Sequence, residues 1–117
     1  MNDSILIIGG GIAGINAALN VAKYGTKVYL VDDTASIGGM MARLDKTFPT
    51  NDCSICIEAP QMYEVDNHPN IEILTNTDIR KVKKTDGGFN VKLVQKARYI
   101  DQEKCTGCGA CVEACPV

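Results

Sequence analysis

Bulky apolar residues near the start of the chain fall into two short unbroken runs separated by a stretch with helical spacing. Ser4–Ile8 is the first run; it reads as a strand buried on both faces, the central strand of a parallel sheet. Ile12, Ile15, Leu19 and Ala22 then recur at offsets that share one helix face, predicting a helix from about residue 12 to 24 that Gly25 stops. Lys27–Val31 is the second strand. Further on, Pro60 suits the first turn of a short helix reaching about Val65, with Met62 and Val65 facing inward. His68-Pro69-Asn70 reads as a turn and Ile71–Leu74 as a third buried strand. Asp78–Lys84 and Phe89–Val94 alternate apolar and polar residues around Asp86-Gly87-Gly88, the pattern of a hairpin.

The joint between the first strand and the first helix carries the chemistry. Gly9, Gly11 and Gly14 stand in the spacing Gly-x-Gly-x-x-Gly. The first permits the tight turn, the second admits a pyrophosphate, and the third lets the helix lie close on the sheet. Backbone N–H groups and the positive helix end then face the phosphates. Asp32 ends the second strand, where such a fold places a carboxylate for the adenosine ribose, and no arginine follows to favour a 2′-phosphate. The expected architecture is α/β: a Rossmann-like βαβ unit with a β-ribbon, its sheet incomplete. An acidic loop residue beside an ordinary strand-turn-helix is the plainer alternative, and the completeness of the pattern argues against it.

Gly38-Gly39, with Met40-Met41 behind it, follows Asp32 after a gap of five residues. At this point the chain resembles flavoproteins with two dinucleotide-binding domains, in which a second glycine pair lets the backbone pass close to FAD. That family more often has Glu where Asp32 stands. The candidate FAD contacts are Gly9, Gly11, Ile12, Ala13, Gly14, Asp32, Asp33, Gly38, Gly39 and Met40. Ile79, on the first ribbon strand, is the candidate beside adenine.

The chain's end holds a second pattern. Cys105, Cys108, Cys111 and Cys115 fit Cys-x2-Cys-x2-Cys-x3-Cys-Pro, in which three thiolates wrap one corner of a 4Fe–4S cubane and the fourth reaches another cluster. Zinc or disulfides are the alternatives, and the two-residue gaps suit a cubane better. The expected division is residues 1–96 as a partial FAD-binding domain and 97–117 as the start of a ferredoxin-type segment. Both the cysteine run and the sheet leave partners missing. Three cysteines need a fourth ligand, Cys115 needs three more, and the first strand lacks a neighbour. More polypeptide or a partner chain is expected to complete sheet and clusters.

Cys53 and Cys56, another Cys-x2-Cys, admit three readings: additional cluster ligands, a dithiol exchanging electrons with flavin, or two inert buried thiols. Lys46 is read as solvated, with stabilisation of reduced flavin as the alternative, and His68 as structural. No residue is expected to act as nucleophile or acid–base catalyst.

The 117 residues carry a net charge of −2 with 45% hydrophobic content, which suits one small globular domain and shows no basic run for nucleic acid. Apolar runs are too short to span a bilayer, and neither a signal peptide nor a disulfide scaffold fits. A cytoplasmic location is expected.

The order of these features, with Leu44-Asp-Lys-Thr-Phe-Pro-Thr50, Asp52-Cys-Ser-Ile-Cys56 and His68-Pro-Asn-Ile-Glu72 between them, resembles the family of A-type heterodisulfide reductase subunits. Pro60-Gln61-Met62 departs slightly from that family's Pro-Lys-Met. The resemblance implies electron transfer between FAD and 4Fe–4S clusters, in some complexes by electron bifurcation. It also implies partners: B- and C-type subunits, and a hydrogenase, formate dehydrogenase or similar donor. A flavin-dependent disulfide oxidoreductase using Cys53 and Cys56 is the alternative in another class, and a non-catalytic nucleotide-binding fragment is a third.

Overall fold

Strand pairing puts Lys27–Val31 (β2), not Ser4–Ile8 (β1), in the middle of the sheet. The computed structural model describes residues 3–117, so residues 1 and 2 of the expected 1–96 unit lie outside the described residues. Its sheet is parallel, in the order β1-β2-β3, with β3 at Ile71–Leu74. Register runs from Ser4 opposite Lys27 to Ile8 opposite Val31, and from Val28 opposite Ile71 to Val31 opposite Leu74. The expectation that β1 is buried on both faces as a central strand is therefore corrected, while the expectation that it lacks a neighbour on one side agrees with the structure. With no strand beyond it among the described residues, β1 is an edge; Ile5 is 41% and Ile8 66% exposed.

Helix α1 (Ile12–Ala22) packs on one sheet face through Ile15, Ala18, Leu19 and Ala22. It is two residues shorter than the periodicity predicts, and Gly25 follows with φ +81°. These side chains join Val28, Leu30, Val65 and Ile71 in one core, with Ile7, Ile37, Met62 and Ile73 packed around it. Burying a side chain such as Ile15 or Leu30 contributes roughly 1.5–3 kcal/mol.

Helix α2 (Ser54–Asp66) starts six residues before Pro60, which lies inside it rather than in its first turn. The cause is the cap. Cys53 is extended, and its Sγ accepts a hydrogen bond from the Cys56 N–H at 3.3 Å, nucleating the turn ahead of the proline. The inner face runs Ser54, Glu58, Met62, Val65, and its first half is polar, which is why apolar periodicity does not reveal it. Met62 and Val65 do face inward, as expected.

Strands β4 (Thr77–Thr85) and β5 (Gly88–Gln95) form the expected antiparallel ribbon, a separate two-stranded sheet with a register irregularity between Ile79 and Lys81. Its root is tied to the parallel sheet: Asp32 N–H donates to the Leu74 carbonyl at 3.0 Å and Thr77 N–H to the Asp32 carbonyl at 2.9 Å. Ribbon residues Val82, Phe89, Val91 and Leu93 face Leu6, Tyr29 and Leu74 across a cavity of about 730 Å³. After β5 the chain turns back, and Arg98 donates to the Ala35 carbonyl at 3.3 Å and to the Thr75 hydroxyl. One short helix, α3 (Ala110–Glu113), follows within the cysteine run.

Candidate functional site: a dinucleotide cradle and a cysteine run

Close backbone packing builds the cradle. A Cβ on Gly14 would overlap the Gly9 carbonyl oxygen, so only glycine lets α1 start this close to the turn. Gly38 N–H donates to the Gly10 carbonyl at 2.7 Å, and Gly38 pairs with Gly11 as an isolated parallel bridge. A Cβ on Gly39, where φ is +56°, would stand 2.9 Å from the Gly11 Cα. Both glycine segments expected to meet FAD are thus pressed together, while a Cβ on Gly11 would find nothing nearer than 3.9 Å. That open side is the room a diphosphate requires. Ile12 and Ala13 form the first turn of α1, and Met40, 68% exposed, lies just behind the glycine pair.

Asp32 is buried at the tip of β2. Its carboxylate accepts from the Gly10 N–H at 2.6 Å, from the Thr34 N–H at 2.8 Å and from the Thr34 hydroxyl. Burial pushes this carboxyl up, but the Thr34 hydroxyl, the Gly10 N–H, the Thr34 N–H and the charge of Arg43 together hold it below the ordinary carboxylate range. The group is therefore an anion that locks the glycine turn to the 32–34 turn. Each carboxylate oxygen can accept more than one bond, which leaves capacity for a ribose. The sequence reading missed Gly10 and Thr34 as its partners. The Asp-x-Thr spacing, which favours local side chain to backbone turns, was the available signal.

A cleft of about 430 Å³ opens between these strand tips and the ribbon root, lined by Ile8, Gly9, Val31, Asp32, Asp33, Thr77, Asp78, Ile79 and Arg80. It gathers Asp33 and Ile79 with Gly9 and Asp32. Arg80, which was not anticipated, enters the lining and lies 3.8 Å from the Asp78 carboxylate.

Cys53 and Cys56 are joined as a disulfide across the first turn of α2, their Cα atoms 5.2 Å apart. Below them on the same helix, the Ser54 hydroxyl and both carboxylate oxygens of Glu58 are fully buried without hydrogen-bond partners. Burial pushes the Glu58 carboxyl up. Lys46, exposed, bridges its backbone to Cys53, and His68 Nδ1 accepts from the Asn70 N–H at 3.2 Å, a structural role in the turn.

Cys105, Cys108, Cys111 and Cys115 are all free and exposed. Among the described residues no three His, Cys, Asp or Glu side chains are gathered as a metal site, so the run is not brought together as the spacing leads one to expect. Its donor set is nevertheless that of an iron–sulfur ligand loop: soft thiols, with left-handed Gly107 and Gly109 curling the backbone between them. Hydrogen bonds from the Ala110 N–H and the Thr106 side chain push the Cys108 thiol down, favouring the thiolate that binds iron. No helix among the described residues is long and apolar enough to cross a membrane.

Comparison with known proteins matches both parts. Residues 4–52 match the family of FAD dependent oxidoreductases, and residues 98–117 match the 4Fe-4S binding domain. L-proline dehydrogenase from P. horikoshii superposes with a TM-score of 0.70 at 29% identity, over 79% of this chain and 19% of that one. A protein of Archaeoglobus profundus, named as similar to the A-type subunit of heterodisulfide reductase, is 58% identical over 99% of this chain and 16% of its own length. The A-type subunit of the H(2):CoB-CoM heterodisulfide,ferredoxin reductase of Methanothermobacter marburgensis is 54% identical over 100% of this chain and 18% of its own length. The chain thus spans under a fifth of these relatives. It belongs to the family of A-type heterodisulfide reductase subunits, corresponding to a stretch in which part of an FAD-dependent oxidoreductase domain runs into a 4Fe-4S binding sequence.

Proposed function

We propose that this segment holds FAD across the turn from Gly9 to Gly14 and passes electrons between it and 4Fe–4S clusters ligated by the terminal cysteines, within an oxidoreductase of heterodisulfide reductase type. The observation that carries this reading is the backbone pairing of Gly11 with Gly38, closed by Gly10 on Asp32, in a chain that continues into the Cys105–Cys115 run. When bound, FAD exchanges electrons in pairs or singly and the clusters carry them singly. The chain's own residues orient and exclude. The α1 N-terminus and the glycine N–H groups face the diphosphate, Asp32 takes the ribose hydroxyls, and Ile79 lies against adenine. Cys105, Cys108 and Cys111 supply thiolates to one cluster and Cys115 to a second. In this reading residues 1–96 are one partial domain and 97–117 the start of another, completed by further polypeptide or a partner chain.

The partners proposed are the other redox subunits of such a complex, with B- and C-type subunits and a hydrogenase- or formate dehydrogenase-type donor as the specific expectation, in the cytoplasm. One relative's name couples a heterodisulfide with ferredoxin, and division of electrons between two acceptors by bifurcation is part of the proposal. The Cys53–Cys56 disulfide supports a second reading, a redox dithiol beside the flavin. Reduced, the same pair offers two thiolates as additional cluster ligands.

Anaerobic purification of the complete polypeptide and its absorption spectrum test this. Flavin bands over broad cluster absorption are expected. A protein that takes up neither FAD nor, after reconstitution with iron and sulfide, clusters would sink the proposal. A charge-transfer band on reduction, lost in Cys53→Ser, would select the dithiol.

A further inference from the structure

Charge is unevenly spread over the chain. Residues 77–96, the ribbon and its first following residue, hold six Lys and Arg against two Asp and Glu; the rest of the chain holds six against twelve. Lys81 and Lys92 stand directly opposite each other across the two strands, with Lys83 opposite Asn90 on the same face. These lysines and Lys84 line a shallow groove of about 340 Å³. Among the described residues none of the four has an ion-pair partner, while the nearby Asp78 is taken by Arg80 and Lys96. Like charges directly opposed in a ribbon are destabilising. Protection of an open ribbon edge explains charged side chains here, but not their common sign, because alternating Lys and Glu would protect equally without repulsion.

We propose that the Lys81–Lys83–Lys92 face of the ribbon is the docking surface for a small acidic electron-carrier protein. The inference rests on the electron-transfer reading above, which requires electrons to come from or go to another protein. The face is polar, with Val82 and Val91 paired on the opposite side, and so suits a transient encounter steered by charge rather than a permanent apolar contact. The acidic remainder of the chain repels a nucleic acid backbone, and no aromatic side chain lines the groove to stack on bases.

The test uses the complete polypeptide carrying Lys81→Glu, Lys83→Glu and Lys92→Glu, with Lys23→Glu/Lys27→Glu, which reverses two charges away from the ribbon against three on it, as the control for a general charge effect. The probe is a small acidic iron–sulfur ferredoxin, mixed by stopped flow between about 20 and 300 mM salt. At low salt the triple variant is expected to react about 10- to 1,000-fold more slowly and to lose its salt dependence, with flavin and iron content unchanged. Equal rates, or an equal loss in the control, overturn the docking surface. So does a self-associated state that only the triple variant dissolves, or binding of a DNA duplex as tight as that of ferredoxin. If the parent protein holds neither flavin nor cluster, the electron-transfer reading fails; calorimetric titration with oxidised ferredoxin then still reports on the surface alone.

Discussion

The cradle and the cysteine run are built on opposite physical terms. Around Gly9–Gly14, Asp32 and Gly38–Gly39 the geometry is held by the protein: a core of buried side chains, a buried carboxylate and backbone contacts that admit no Cβ. Around Cys105–Cys115 every cysteine is exposed and, among the described residues, the backbone hydrogen bonds are those of local turns. The first is shaped by the chain's own packing. The second is a set of donors specified by sequence spacing, and metal binding to such ligand loops contributes folding free energy. One chain therefore carries a cofactor site encoded in packing and another encoded in ligand spacing.

Breaking the cradle should give the largest effect. Gly14→Val, by driving side-chain atoms into the Gly9 carbonyl, is expected to destabilise the domain by about 3 kcal/mol and to abolish FAD retention, read by thermal melt and flavin absorbance. Next in size is the run. Cys108→Ser should remove one cluster, read as lost iron and lost broad absorption, while FAD content and the melt of the cradle stay as they were. Iron removal by a chelator should do the same; a cradle that melts with the clusters would erase the contrast between the two regions.

Asp32→Asn comes third, with FAD binding weakened about 10- to 100-fold through loss of charge-assisted acceptors. Its pH signature follows from the sign of the shift. The folded-state pKa lies below the unfolded one, so the stabilisation is fully present above the ordinary carboxylate range and is lost as pH falls through the lowered folded value. Acid unfolding of Asp32→Asn should therefore have a shallower slope below about pH 4 than that of the parent. The smallest effect concerns the buried face of α2: Glu58→Met removes two orphaned buried oxygens and should raise stability by about 1 kcal/mol in a denaturant titration. A loss instead would mean that Glu58 has a polar partner in the complete polypeptide.

Much of the cradle was legible because its signals are local. Gly-x-Gly-x-x-Gly, an acid at a strand tip and a glycine pair each constrain a few neighbouring residues, and the structure draws Gly9, Asp32, Asp33 and Ile79 around one cleft. Strand position was not local. The apolar run of β1 reads as doubly buried, yet whether it is covered depends on residues far along a polypeptide, and here it lies at an edge. Apolar periodicity starts helix α2 too late because its hidden face begins with serine and glutamate, and a cysteine cap is not among the usual start signals. The cysteine run shows the reverse: spacing makes its ligand chemistry plain, while nothing in the amino acids alone fixes its shape.

The bare flank of Ser4–Ile8 has a practical consequence. Produced by itself, this stretch offers unclaimed peptide N–H and carbonyl groups, beside Ile5 and Ile8 side chains in water, to any extended chain that drifts alongside. A second copy answers that description, so a preparation of this stretch by itself would tend toward strand-to-strand assemblies.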